Sequence, residues 1–398
     1  MATESTNGLG GSADLKRTIG PWGFAGVSLA SFGGPLALAG LVGAFAVADA
    51  GANAGIVTVL GAVVFLAPLA VWVSYSRVVQ GSGGLYDYVR EAAGPRLALL
   101  QAAFWTVSYL LYVAYTTVQI VYDLLPDVIP GERHYQTLLA FLLPAALALI
   151  VIAGTRTWLV VLCAIGLVQL LFALLLAGIT LAHHSPFVSG PIHEPVDHFL
   201  KPLGASALLY VCGSLPLFLG GEVVRPSETI RRGLWVGFIL TVIVVVLSVA
   251  PLAGAPDLLN APISGMAVVE RYVGHGLAVA VGIVIALGIA AIMLAEFVAL
   301  TRLAHAVAGW RPRPVAVVIG VLMLIASAIS LAGPDAYYDD LIRPSLFALW
   351  ISQMIVFAVY PRFARRQGKS VVLASVLAAL AFALAGFGFY TVILNASS

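Results

Sequence analysis

Two short stretches carry the chemistry that stands out in this sequence. Ser31-Phe32-Gly33-Gly34-Pro35 and Cys212-Gly213-Ser214-Leu215-Pro216 each place glycine one to three residues ahead of proline inside an apolar run. Glycine accepts irregular backbone, and proline lacks a backbone donor. Proline also fits the first turn of a helix, where its missing N–H costs nothing. Each stretch therefore reads as an unwound strip between two half-helices. The half-helix that starts after a strip offers free N–H groups and a positive dipole end to an anion. The half-helix that stops before it offers free carbonyls to a cation. On this chemistry a carboxylate fits near Gly33 and Gly34, with Ser31 and Phe32 beside them. An ammonium fits near the carbonyls of Cys212, Gly213 and Ser214, with Leu215 adjacent. The competing reading is a pair of ordinary Pro/Gly kinks, which membrane helices tolerate.

Two acidic residues add a second kind of chemistry. Glu296 sits in an apolar run six residues before Arg302, roughly 9 Å away along a helix. An ionisable group inside a membrane is a functional candidate by default. Glu296 either carries a proton or pairs with a basic group at the membrane edge. Glu222 follows the second strip and reads as a gate residue, with Arg225 or Arg231 as the expected ion-pair partner.

These residues need elements to position them. The 398 residues are 61% hydrophobic and 10% charged, with mean hydropathy +1.03. A soluble domain carries roughly 25% charged residues, so lipid must cover most of this chain. A membrane-crossing helix needs about 20 apolar residues. Eleven such spans are predicted: 22–48, 56–79, 97–125, 135–153, 158–182, 203–224, 230–253, 276–300, 315–331, 340–360 and 371–394. Runs such as Phe238–Ser248 are apolar on every side, which excludes the alternation of a β-barrel strand. Residues 1–20 are polar and read as a disordered cytoplasmic tail. Residues 183–202 form the longest outer loop, whose histidines fit no metal-binding pattern.

Orientation follows from the basic residues. With the N-terminus in the cytoplasm, sixteen of the twenty Lys and Arg fall on the inner side, leaving only Arg133, Lys201, Arg271 and Arg343 outside. The net charge of +2 gives no field for nucleic acid. Cys163 and Cys212 form no CxxC pair, and no cofactor motif is present.

The strips fall in spans 1 and 6, the matching positions of two five-helix halves. That placement points to an inverted repeat with a binding site at mid-membrane. The expected fold is an all-α polytopic membrane protein: a five-plus-five inverted repeat of residues 21–182 and 203–362, discontinuous in spans 1 and 6. Residues 363–398 supply an additional span 11.

Several motifs then resemble one family. Ser82-Gly83-Gly84-Leu85-Tyr86-Asp87-Tyr88, followed by Gly94, Trp105 and Tyr109, is similar to a segment after the second helix of amino acid–polyamine–organocation superfamily permeases. Glu222-Val223-Val224-Arg225-Pro226-Ser227-Glu228-Thr229-Ile230 resembles their segment after the sixth helix, and Arg302 in Leu300–Ala306 resembles the end of their eighth. The resemblance covers about residues 17 to 360. It implies alternating access and a substrate site between spans 1, 3, 6, 8 and 10. The first strip departs from the family's usual G-S-G, and many relatives have twelve helices.

The function expected on these grounds is secondary active transport of amino acids or related small amines at the plasma membrane. The alternatives are polyamines or other organic cations as cargo, or a membrane channel. Tyr109 and Tyr112 are candidate walls of the site. Sodium coupling commonly uses hydroxyls on helix 8, and Gly288–Ala295 has none. Span 5 holds Gln169 where some proton-coupled relatives carry lysine. Proton symport or exchange is therefore expected.

Overall fold

The computed structural model describes residues 15–129, 131, 134–185 and 197–394. Of the outer loop 183–202, residues 186–196, with His193 and Glu194, lie outside the described residues, as does the tail before residue 15. The described residues are almost wholly helical, and ten apolar helical stretches are long enough to cross a membrane. The first of them, Pro21–Ser76, reverses at Gly51 and so makes two passes. Eleven spans result, as the sequence predicts.

Span 1 covers residues 21–47, span 2 Ala54–Ser76, span 3 residues 95–128, span 4 Gln136–Ala153 and span 5 Thr155–His183. Span 6 covers residues 197–219, span 7 Pro226–Val249, span 8 His275–Ala308, span 9 Pro312–Ser330, span 10 Pro334–Arg366 and span 11 Val371–Leu394. Three short helices lie between spans. Leu85–Ala93 follows span 2, while Pro256–Leu259 and Ser264–Tyr272 follow span 7. The face where the chain enters span 1 is called the N-face below.

Spans 2, 4, 5, 7, 9 and 11 turn leucine, valine and isoleucine outward, as a lipid solvent allows. Inside, large aromatics fill the bundle: Trp72, Trp105, Trp158, Phe65 and Phe218 are fully buried. Phe65 stacks on Phe238 at 5.7 Å, and Phe238 meets Phe32 at 5.8 Å. These contacts tie spans 2 and 7 to the break in span 1.

Residues just before span 1 are not loose. The N–H groups of Thr18 and Ile19 donate to the Glu222 carbonyl at 2.8 and 2.9 Å, and Val224 N–H donates to the Ile19 carbonyl at 2.9 Å. This parallel bridge corrects the expected extent of the tail, because the chain is pinned from residue 18. The reason is local. Residues 222–224 have left the helix and expose backbone groups that only another extended segment can satisfy.

Candidate functional site

Span 1 runs as a helix from Pro21 to Ser31, then breaks. Gly33 and Gly34 hold φ of 107° and 68°, a region that side chains bearing a Cβ rarely enter. The helix resumes at Pro35 and widens into a π-turn at Leu38–Val42. The break falls where the sequence places it.

Span 6 departs from expectation. Its α-helix ends at Leu208, and a 3₁₀-helix runs from Val211 to Leu219 straight across Pro216. The interruption is at Leu209-Tyr210, not between Cys212 and Pro216, and no second α-helical half follows it. The tighter coil suits the sequence because Gly213 abuts the Phe32 ring so closely that a Cβ there would collide with it. The two breaks thus touch, through Phe32 and Gly213.

Above that contact lies a cavity of about 350 Å³. Gly33, Tyr109, Tyr112 and Cys212 line it, with Leu38, Leu208, Leu209, Val211, Ile289, Ile292, Leu346, Leu349 and Trp350. Phe45, Ala46, Gln119 and Ala205 extend the lining toward the face opposite the N-face. Of the sequence-expected residues, Gly33, Tyr109, Tyr112 and Cys212 come together here. Ser31, Phe32, Gly34, Gly213, Ser214 and Leu215 sit behind the wall. Ser31 and Phe32 are fully buried, and the Ser214 hydroxyl donates to the Val211 carbonyl at 3.1 Å.

The start of the second half-helix of span 1 is not free, as the sequence reading supposed. Gln169 of span 5 reaches it. Its Oε1 accepts from the N–H groups of Leu36 at 3.0 Å and Ala37 at 3.1 Å. Its Nε2 donates to the Val284 carbonyl of span 8. The Leu38 N–H goes to the Gly34 carbonyl, and Pro35 has none to give. The Gly33 and Gly34 amides remain. A lone glutamine in a leucine-rich span was the available signal, since a buried amide must find partners.

Glu296 is completely buried, and both its carboxyl oxygens lack a hydrogen-bond partner. It lies within electrostatic range of Tyr109, Tyr112 and Tyr115 of span 3 and of Cys212 of span 6. It does not itself line the cavity. Of the two readings open from sequence, pairing with a basic group is not what the structure has, because the nearest cation along span 8 is engaged elsewhere.

That cation is Arg302, and its partner is Glu222. Arg302 Nε donates to Glu222 Oε1 at 2.7 Å and Nη2 to Oε2 at 3.3 Å. Thr155 at the start of span 5 donates its hydroxyl to Glu222 Oε2 at 3.0 Å. The guanidinium lies 5.3 Å over the Trp158 ring, in the range of a cation–π contact. Both partners are at most 4% exposed. The pairing with Arg225 or Arg231 is therefore corrected. Arg225 takes the left-handed conformation (φ 49°) that starts span 7, and span 8 runs two turns beyond its predicted end, which delivers Arg302 to Glu222. Further polar contacts lie at the N-face: Asp87 accepts from Gly83 N–H at 2.8 Å and meets Arg90 at 2.9 Å, and Lys369 donates to Ser74 at 2.8 Å.

A model of the family described as amino acid permease matches residues 22–314. No curated protein sequence matches the chain. Among solved structures, MhsT in complex with L-phenylalanine is similar over 96% of this chain and 99% of its own, at 13% identity and a TM-score of 0.65. A nucleobase-cation-symport-1 family transporter in a closed conformation with bromovinylhydantoin bound covers 97% and 94%, at 12% identity and a TM-score of 0.56. A substrate-bound, outward-open Na+-coupled sialic acid symporter covers 95% and 90%, at 13% identity and a TM-score of 0.52. At these identities the likeness is one of fold, the five-plus-five inverted repeat expected from the two broken spans.

Proposed function

The chain belongs to the amino acid permease family and is a multi-pass membrane transporter; from that premise we propose that it moves amino acids or related small amines by alternating access, without sodium. The observation that carries this reading is the meeting of the two interrupted spans beside one cavity, where Phe32 packs on Gly213 and Gly33 and Cys212 share the wall. Irregular backbone at membrane depth is sustainable only where it is buried or lines such a cavity.

The cavity's lining extends toward the face opposite the N-face, while Arg302, Glu222 and Thr155 join span 8, the segment after span 6 and span 5. This is one of the two end states that alternating access requires. Opening the N-face means separating Arg302 from Glu222, which makes Glu222 a gate. The halves 21–182 and 203–362 move against one another, and residues 363–398 add a flank. The basic-residue bias supports a cytoplasmic N-face in the plasma membrane, so the cavity faces outward.

Sodium independence is supported by the seam between spans 1 and 8. The Gln169 amide already closes it, with an acceptor for the span 1 amides and a donor for the span 8 carbonyl. Glu296 is the proton carrier in this reading, the one fully buried carboxyl among the described residues with no partner.

Reconstitution tests it. Proteoliposomes are expected to take up labelled amino acids or amines saturably, to respond to a pH gradient and to ignore sodium, with the label recovered unchanged. Uptake that demands sodium and ignores pH rejects the coupling. Unitary currents at fixed voltage make the protein a channel and reject alternating access.

A further inference from the structure

The cavity is unlike a pocket for a zwitterion in three respects. Its wall is overwhelmingly apolar: Ser108, Tyr109, Tyr112, Gln119, Cys212 and the indole of Trp350 supply its only polar side-chain atoms, and no charged side chain lines it. A volume of about 350 Å³ walled by Leu208, Leu209, Leu346, Leu349 and Trp350 calls for a bulky apolar group.

The second respect concerns the carboxylate. Such a group needs donors, and the half-helix that should supply them has spent its own. Pro35 has no N–H, Leu36 and Ala37 are taken by Gln169, and Leu38 closes on Gly34. Of the two amides left, Gly34 lies against Gln169 and Gly288, and only Gly33 lines the cavity. With that amide stand only the neutral donors Ser108, Tyr109, Tyr112 and Gln119, and no cation offsets the charge of a carboxylate leaving water.

The third respect is charge. Glu296 is completely buried about one helical turn beyond the cavity-lining Ile292, with neither oxygen satisfied. The titratable groups set against it are Tyr109, Tyr112 and Tyr115 from span 3 and Cys212 from span 6. On its own span the nearest cation, Arg302, is bound to Glu222. A carboxylate here lacks a positive partner, and the apolar cavity lacks a negative one.

We infer that the substrate is a protonated monoamine bearing a bulky apolar group and no carboxylate, with Glu296 as its counter-charge. The inference rests on the transporter reading and narrows it. Ammonium and proton then compete for one carboxyl group. As the ammonium arrives, Glu296 gives its proton to cavity water; as the amine leaves, Glu296 takes a proton back. Amine and proton therefore move in opposite directions, one for one.

Three probes with the same ring separate the charges: 2-phenylethylamine, L-phenylalanine and 3-phenylpropionate, measured by calorimetric binding to purified protein and by proteoliposome uptake. The amine is expected to bind about tenfold or more tightly than the amino acid, and the acid not at all. Glu296→Gln is expected to cut amine binding by about tenfold and abolish its pH dependence with the thermal midpoint kept, while Glu296→Asp restores part of both. L-phenylalanine binding as tightly as the amine overturns the inference and leaves amino acid transport standing. Uptake of small amino acids such as glycine with no binding of ring-bearing probes does the same. Failure of every amino acid and amine to bind or accumulate overturns the transporter reading with it.

Discussion

The two ends of the bundle are built from different materials. The N-face is tied by charge and hydrogen bonds, Glu222 to Arg302 and Lys369 to Ser74, around a polar recess lined by Gln80, Ser82, Asp87, Arg90 and His305. The opposite half holds the cavity walled by leucine, tryptophan and alanine. Polar ties are directional and break all at once when geometry fails, while apolar walls slide and reseal. The contrast teaches that the N-face is a latch and the other half a sleeve, so damage to each should look different.

The largest expected effect comes from unmaking the latch. Arg302→Ala leaves the Glu222 carboxylate buried without its partner, a loss of about 3–5 kcal/mol to the closed N-face. In a Cys163→Ser background, the cavity-lining Cys212 should then lose most of its labelling by impermeant thiol reagents from the opposite face, and uptake should collapse. Undiminished labelling would mean the latch does not set the state. Next is the contact between the breaks. Gly213→Ala drives a methyl group into the Phe32 ring, and overpacking of this kind costs about 1–3 kcal/mol. Uptake should fall steeply and recover when Phe32→Leu is added; a neutral Gly213→Ala would show that the breaks need not touch.

A smaller loss is expected at the seam. Gln169→Leu strips the acceptor from Leu36 and Ala37, and unsatisfied buried donors cost about 1–3 kcal/mol. The thermal midpoint should drop, and Gln169→Glu, which keeps the acceptor but when ionised sets a carboxylate against the Val284 carbonyl, should not restore it at neutral pH. The smallest effect belongs to the open side, where His184 Nε2 meets the Tyr272 hydroxyl at 2.9 Å and His183 stacks on the same ring. Burial, then His183 and Arg271, hold His184 below the usual imidazole value, with Asp257 working the other way. The neutral ring is thus the one the fold favours. Its contribution is present above about pH 6.5 and lost as pH falls below that value. A modest acid-induced loosening of helix Ser264–Tyr272 should appear in hydrogen exchange and vanish in His184→Ala.

The spans were legible because lipid imposes a single rule on length and apolarity, and Gly33-Gly34 marked the break in span 1, while Gly213 marked the right span but lies a few residues past its interruption. What sequence could not give was the partnering of side chains far apart in the chain. Glu222 has Arg225 and Arg231 nearby in sequence, yet span 8 continues to Ala308 and brings Arg302 instead. Gln169 is visible as an oddity, but nothing local says that it reaches 133 residues back to Leu36. Helix Ser264–Tyr272 falls between the predicted spans because it is too short and too polar for the apolarity rule to reach. It docks on span 1 through Ser264 Oγ to the Gly40 carbonyl at 3.1 Å. The form of span 6 was misjudged because proline reads as a helix start, while a 3₁₀ coil can also carry it.

The strand-like pairing of Thr18 and Ile19 with residues 222–224 has a practical corollary. The chain's leading segment is a tether tied to the residue that forms the latch. Losing Thr18 and Ile19 would strip two donors from the Glu222 carbonyl and an acceptor from Val224, so cutting the chain there is expected to disturb the residue that pairs with Arg302.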